Sequence, residues 1–123
     1  MRLRGFTMIE LMVALAIVAL ILTIATPRYF GNVDAAKENT LREDLFVMRD
    51  AIDKHFADQG RYPDSLGDLV TKRYLRAVPV DPITQKSNSW VVKPPADTTL
   101  GAVYDVQSGA SGKARDGTAY KDW

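Results

Sequence analysis

The sequence predicts an α+β fold: one long N-terminal helix, membrane-spanning in its first half, with a short helix and a small antiparallel β-sheet packed on its second half. Three observations carry that reading. Leu11 to Ala25 holds fourteen apolar residues and one threonine, Thr23, with no charge among them. Leu41, Leu45, Met48, Ile52 and Phe56 then recur at helical spacing. Beyond Gly60 the chain breaks into short segments punctuated by proline and glycine, two of which alternate like strands.

The whole-chain averages bound the answer. A chain of 123 residues is about one ordinary domain. With 46% hydrophobic and 25% charged residues it is neither a polytopic membrane protein nor a disordered tail. Its net charge of +1 supplies no basic excess for nucleic acid. It has no cysteine, which excludes a disulfide scaffold, a thiolate zinc site and a cysteine nucleophile together.

The apolar element comes first. Phe6 to Thr26 is 21 residues, which as a helix spans roughly 31 Å, the hydrocarbon thickness of a bilayer. A domain this small rarely surrounds a helix that is apolar on every face, so the surroundings are lipid. Arg2 and Arg4 precede it with no acid nearby, which keeps the N-terminus cytoplasmic and sends the remainder outward. A cleaved secretory signal is the competing reading, with Thr23-Ile24-Ala25 as a small-residue cut site. Pro27 directly beyond, and Glu10 where the apolar region would begin, count against it. An acid in a spanning helix costs up to ~3 kcal/mol at the centre and less near the end. Glu10 therefore sits wet at headgroup level or has a cationic partner. Ala16, Ala19, Thr23 and Thr26 form a stripe of small residues along which helices can approach closely. Pro27 and Gly31 predict a kink or a melted turn over Thr26–Gly31.

The helix then resumes as an amphipathic element from Asp34 to Asp58, with Glu38–Arg42 and Asp50–Lys54 as i,i+4 pairs and Gly60 as its stop. Asp64 or Ser65 caps a short helix to about Val70. Tyr74 to Pro82 is an extended connector, because Pro79 and Pro82 bar a helix. Strands follow at Ser89–Lys93, with Trp90 and Val92 on one face, and at Ala102–Gln107, with Ala102, Tyr104 and Val106 on one face. Ser108–Thr118 reads as a loop and Ala119–Trp123 as a third short strand.

No catalytic constellation emerges. His55 is the single histidine, and alone it cannot build the usual zinc site, so it is a structural or surface residue. Gly109-Ala110-Ser111-Gly112 is not a nucleophile elbow, and Gly112-Lys113-Ala114 fails the phosphate-loop pattern. The expectation is a protein that is not an enzyme.

Gly5-Phe6-Thr7-Met8-Ile9-Glu10-Leu11, followed by the apolar run, resembles the cleavage and methylation site of type IV pilins and pseudopilins. The resemblance implies a pilin-like fold in three parts. Residues 1–5 are a leader that prepilin peptidase removes after Gly5, and the same enzyme then N-methylates Phe6. Residues 6–27 are the transmembrane and assembly helix, in which Phe6, Glu10 and Pro27 serve assembly. Residues 28–123 are a periplasmic globular domain. The zone around Pro27 marks the exit from the membrane and unwinds when filaments form. Cleavage would create an α-amino group four positions from Glu10, one helical turn, so the two can meet within or between subunits. Two opposite charges ~4 Å apart are worth roughly 4 kcal/mol at an effective dielectric of ~20, before desolvation. Losing Arg2 and Arg4 removes two of the 16 bases against 15 acids, and the net charge passes from +1 to −1.

Tyr62-Pro63-Asp64-Ser65-Leu66 and Pro79-Val80-Asp81-Pro82 resemble the Y-P-x-x-L and P-x-D-P stretches of the major pseudopilin subgroup, the G subunits of type II secretion. In that subgroup a C-terminal loop holds calcium through acidic side chains and carbonyls. The matching region here offers Asp105, Asp116 and Asp122, but Ser111 stands where the subgroup often has aspartate, and the loop is shorter. Calcium wants six to eight oxygens, several of them charged. The absence of cysteine favours a pseudopilin over a disulfide-stapled surface pilin.

The function this implies is a structural subunit of a helical pseudopilus that drives protein export across the outer membrane. The implied partners are copies of itself, prepilin peptidase, an inner-membrane assembly platform, minor pseudopilins and, before assembly, membrane lipid. The implied location is the bacterial inner membrane in a single pass, then a periplasmic filament. The alternatives are a type IV pilus subunit for motility or adhesion, and a pilin-like DNA-uptake receptor. The latter would need basic clusters such as Lys72, Arg73 and Arg76, or Lys113 and Arg115, and nucleic acid is not expected.

Overall fold

The first element, α1, runs unbroken from Met8 to Gln59. The computed structural model describes residues 4–123; Met1, Arg2 and Leu3, which begin the expected leader, lie outside the described residues. The chain forms two compact units, one reaching to Asp34 and one of Ala35–Trp123.

In the first unit α1 is apolar on every side from Leu11 to Ala25. An 18-residue stretch of it has mean hydropathy 2.7 with none of that stretch buried, and it is long and apolar enough to cross a membrane. The small-residue stripe satisfies its own hydroxyls: Thr23 Oγ1 donates to the Leu20 carbonyl and Thr26 Oγ1 to that of Leu22, both at 2.7 Å. The melted turn expected over Thr26–Gly31 is absent, because helix continues through Pro27. Proline deletes a single backbone donor, and in a long helix the turns on either side propagate across that gap.

In the second unit α1 presents Leu41, Leu45, Met48, Ala51 and Ile52 to a core completed by Leu69, Leu75, Trp90, Val103 and Val106. The stripe ends on His55, which is fully buried, while Phe56 is 37% exposed. Spacings of 4, 3, 4 and 3 keep one face inward, so the reading that placed Phe56 on the stripe followed the wrong final step. Gly60, at φ 72°, ends the helix with its N–H on the Phe56 carbonyl at 2.8 Å. The short helix α2, Leu66–Thr71, is capped by Ser65, whose hydroxyl accepts the Asp68 N–H at 3.3 Å.

The sheet has two strands, β1 Val91–Lys93 and β2 Asp105–Gln107, antiparallel with Val92 opposite Val106. Both are shorter than expected. Val103 and Val106 are the buried pair, whereas Tyr104 is 54% exposed. A spacing of three cannot belong to one strand face, and the chain is not yet regular strand at Val103. The third strand is also corrected: Ala119 makes one isolated bridge to Lys113, and Tyr120–Asp122 is a 3₁₀ turn. Gly109 lets the loop close against the segment just before β1, since a Cβ there would collide with the Ser89 carbonyl.

Candidate functional site

Two sets of residues stand out, one at the start of α1 and one where the loop 108–123 meets it. At the first, residues 4–7 are exposed and outside the helix, and Phe6 is 84% exposed. Thr7 then caps α1. Its Oγ1 accepts the Glu10 N–H at 3.1 Å, and Glu10 Oε2 accepts the Thr7 N–H at 3.3 Å. This is a capping box, T-x-x-E, satisfying two backbone donors that a helix start leaves orphaned. The sequence carries that signal in plain spacing, Thr7 standing three positions before Glu10. A Cβ placed on Gly5 would meet nothing within 4 Å. Among the described residues nothing crowds that position.

At the second set, three side chains of α1 reach the loop. Glu38 Oε1 accepts the Arg115 N–H at 2.8 Å and the Tyr120 hydroxyl at 3.3 Å. Arg42 lies 4.3 Å over the Trp123 ring and 3.7 Å from Asp116. Arg49 donates from Nε to Asp105 Oδ1 at 2.9 Å, and from Nη2 to the Val106 carbonyl at 2.9 Å and the Trp123 backbone oxygen at 2.6 Å. Glu38 and Arg42, expected to pair with each other, thus both engage the loop, while the Asp50–Lys54 pair is present at 2.8 Å. Arg49 drew no notice in the sequence; its signal is Arg42 seven residues before it, both arginines flanking the apolar stripe.

The candidate calcium ligands are dispersed among these contacts. Asp105 is held by Arg49. Asp116 accepts the Thr118 hydroxyl at 2.6 Å and its N–H at 3.0 Å, and those two bonds, with a smaller contribution from Arg42, hold its carboxyl below the usual range. Asp122 is exposed on the 3₁₀ turn. Asp116 and Asp122 line a groove that also holds Arg42, Arg49 and Lys113. Among the described residues no three acidic, histidine or cysteine side chains group so as to hold a metal ion.

His55 is structural. Its Nδ1 lies 2.8 Å from the Arg61 carbonyl and its Nε2 3.3 Å from Lys72 Nζ, an arrangement satisfied by a neutral ring donating at Nδ1 and accepting at Nε2. Lys72, one of the basic residues a DNA receptor would use, is committed to that contact. Sequence reasoning also passed over a buried polar pair, Asp81 and Ser108. The Ser108 hydroxyl donates to Asp81 Oδ2, and Asp81 Oδ1 accepts the N–H groups of Ile83 at 2.8 Å and Thr84 at 3.3 Å. The P-x-D-P stretch is thus a turn built around a buried carboxylate.

Residues 1–26 match the family described as Prokaryotic N-terminal methylation motif. The chain is similar to the type II secretion system core protein G of Dickeya chrysanthemi, at 30% identity over 91% of this chain and 73% of that protein. The same-named protein of Klebsiella michiganensis is 30% identical over 64% of this chain and 67% of its own length. That of Vibrio cholerae is 29% identical over 91% and 88% respectively. No solved structure matches the chain.

Proposed function

This chain belongs to the family of the type II secretion system core protein G, the major pseudopilins, and we propose how its own residues serve that role. The family is structural and non-enzymatic, and it assembles with the secretion machinery. The apolar half of α1 is consistent with anchoring in the inner membrane.

On our reading, prepilin peptidase removes residues 1–5 on the cytoplasmic face and N-methylates Phe6. Residues 6–27 then hold the subunit in the bilayer and later pack in the filament, with residues 28–123 in the periplasm. Subunits leave the membrane one by one through an inner-membrane platform, with minor pseudopilins among their partners. The growing filament pushes exported proteins outward.

One observation carries this reading. The Gly5–Phe6 bond lies in exposed chain just ahead of a capped apolar helix, inside the segment that matches the methylation motif. Gly5 is exposed in open space, where a peptidase can reach it. The test is the intact mass of the protein extracted from membranes. It should lack Met1–Gly5 and carry one added methyl group, and in cells without the peptidase it should keep its leader. Cleavage after Ala25 would refute the reading.

A further inference from the structure

We propose that in this chain the guanidinium of Arg49 replaces calcium as the cation that orders the loop 108–123, so that the domain folds and stays folded without metal.

The argument starts from the donor set. Asp105 carries a carboxylate that a divalent ion would need, and Arg49 Nε already occupies its Oδ1 at 2.9 Å. The backbone N–H of Val106 takes the same oxygen at 2.8 Å. Asp116 spends Oδ1 on Thr118 and faces Arg42 with Oδ2. Ser108 to Trp123 carries Lys113, Arg115 and Lys121 against Asp116 and Asp122, so its side chains sum to +1. A loop of that sign beside two arginines repels a divalent cation, whereas calcium sites concentrate negative oxygens.

The positive half of the argument is geometric. A calcium ion orders a loop by gathering oxygens from separate segments around one charge. Arg49 does the same with a planar fork: it gathers the Asp105 carboxylate and Val106 carbonyl of β2 and the Trp123 backbone oxygen beyond the 3₁₀ turn. Lysine, a point charge without that fork, would not serve equally. Arg42 fixes the far end by lying over the Trp123 ring, and Trp123 Nε1 ties back to Thr118 Oγ1 at 2.7 Å. The three contacts of Arg49 span sequence separations of 56, 57 and 74 residues, so one side chain closes the domain.

The test uses the full chain in detergent, purified through EDTA, with thermal unfolding followed by circular dichroism. Calcium chloride at 10 mM is expected to leave Tm unchanged, and fresh EDTA likewise. A ligand present at ten times its Kd or more would raise Tm by several degrees, and such a rise, reversed by chelator, would overturn the proposal. Arg49→Met is expected to lower Tm by on the order of 10 °C with no recovery in calcium, and Arg49→Lys by roughly half of that. Acrylamide quenching of tryptophan emission should increase in both variants as Trp123 loosens. An Arg49→Met protein as stable as the parent would also overturn the proposal. Should that variant fail to fold, the calcium titration of the parent still decides.

Discussion

Thr7 and Glu10 close a reciprocal pair at the mouth of α1: the hydroxyl of Thr7 takes the Glu10 N–H, and the Glu10 carboxylate takes the Thr7 N–H. The acid expected to seek a charged partner therefore already has a neutral one. A carboxylate offers about four lone-pair sites, and the cap uses one of them on Oε2. The remaining oxygen is open to the amine that cleavage after Gly5 would create, in this subunit or the next. If Glu10 also sets register between subunits, capping and register place two demands on one side chain, and substitution can separate them.

Asp81 is the polar residue whose loss should cost the domain most. It is fully buried, and its two oxygens serve Ser108, Ile83 and Thr84. Asp81→Ala leaves those three donors without their acceptor and is expected to cost roughly 3–5 kcal/mol. Ser108→Ala removes one donor and leaves the turn intact, costing about 1–2 kcal/mol. Urea unfolding of the full-length variants in detergent measures both, and equal midpoints for the two would refute the ranking.

Acid should act on the domain in two opposite senses. The carboxyls of Asp116 and Asp97 are held low by the hydroxyl and N–H of Thr118 and Thr99. Their stabilising contribution is present above the pKa of the unfolded chain and is lost as pH falls through the lower folded value. Asp44 is the reverse. Burial, then the neighbouring charges of Asp81 and Glu43, push its carboxyl up. Its ionised form therefore strains the fold, a penalty that develops as pH rises from the unfolded pKa to the raised folded one. Asp44→Asn should raise Tm by a degree or two at neutral pH, a gain kept small by solvent screening, and the gain should vanish below about pH 4. A pH-independent gain would point to a packing effect instead.

What the sequence revealed and what it hid divide by the range of the interaction. The apolar run, the stripe from Leu41 to Ile52, the Ser65 cap and the Gly60 stop are decided by neighbours within a turn or two, and they were legible. Phe56 against His55 turned on a single step of helical phase, and the Arg61 carbonyl and Lys72 that satisfy His55 lie beyond the helix. Val103 took the inward position of Tyr104 because its N–H is held by the Pro63 carbonyl at 2.9 Å, an anchor 40 residues away. Arg49 and the Asp81–Ser108 pair were invisible for the same reason: their partners are distant in sequence, and only the closed fold brings them near. The acids offered as calcium ligands illustrate the converse. Asp105, Asp116 and Asp122 look alike in sequence, and the fold gives each a different employment.

Glu10 supplies the sharpest test, because two substitutions divide its capping contact from its proposed part in assembly. Glu10→Gln keeps an oxygen for the Thr7 N–H, so the capping box survives, but it carries no charge. Glu10→Ala loses cap and charge together. Both variants are more easily inserted in lipid than the parent, so membrane levels should hold. Leader removal should also survive, since the proposed cut after Gly5 lies well before Glu10. If the carboxylate pairs with the Phe6 amine of an incoming subunit, both variants should fail to form filaments. The amine would then enter a low-dielectric bundle without its partner, at a cost of roughly 3–5 kcal/mol per contact. That is about two to three powers of ten in the elongation equilibrium. Glu10→Asp, with its charge on a shorter arm, should fall between. The measurement is filament sheared from cells overexpressing each variant, compared with processed subunit left in the membrane. Filaments from Glu10→Gln but not from Glu10→Ala would make Glu10 a capping residue only, and filaments from both would leave it without a part in assembly.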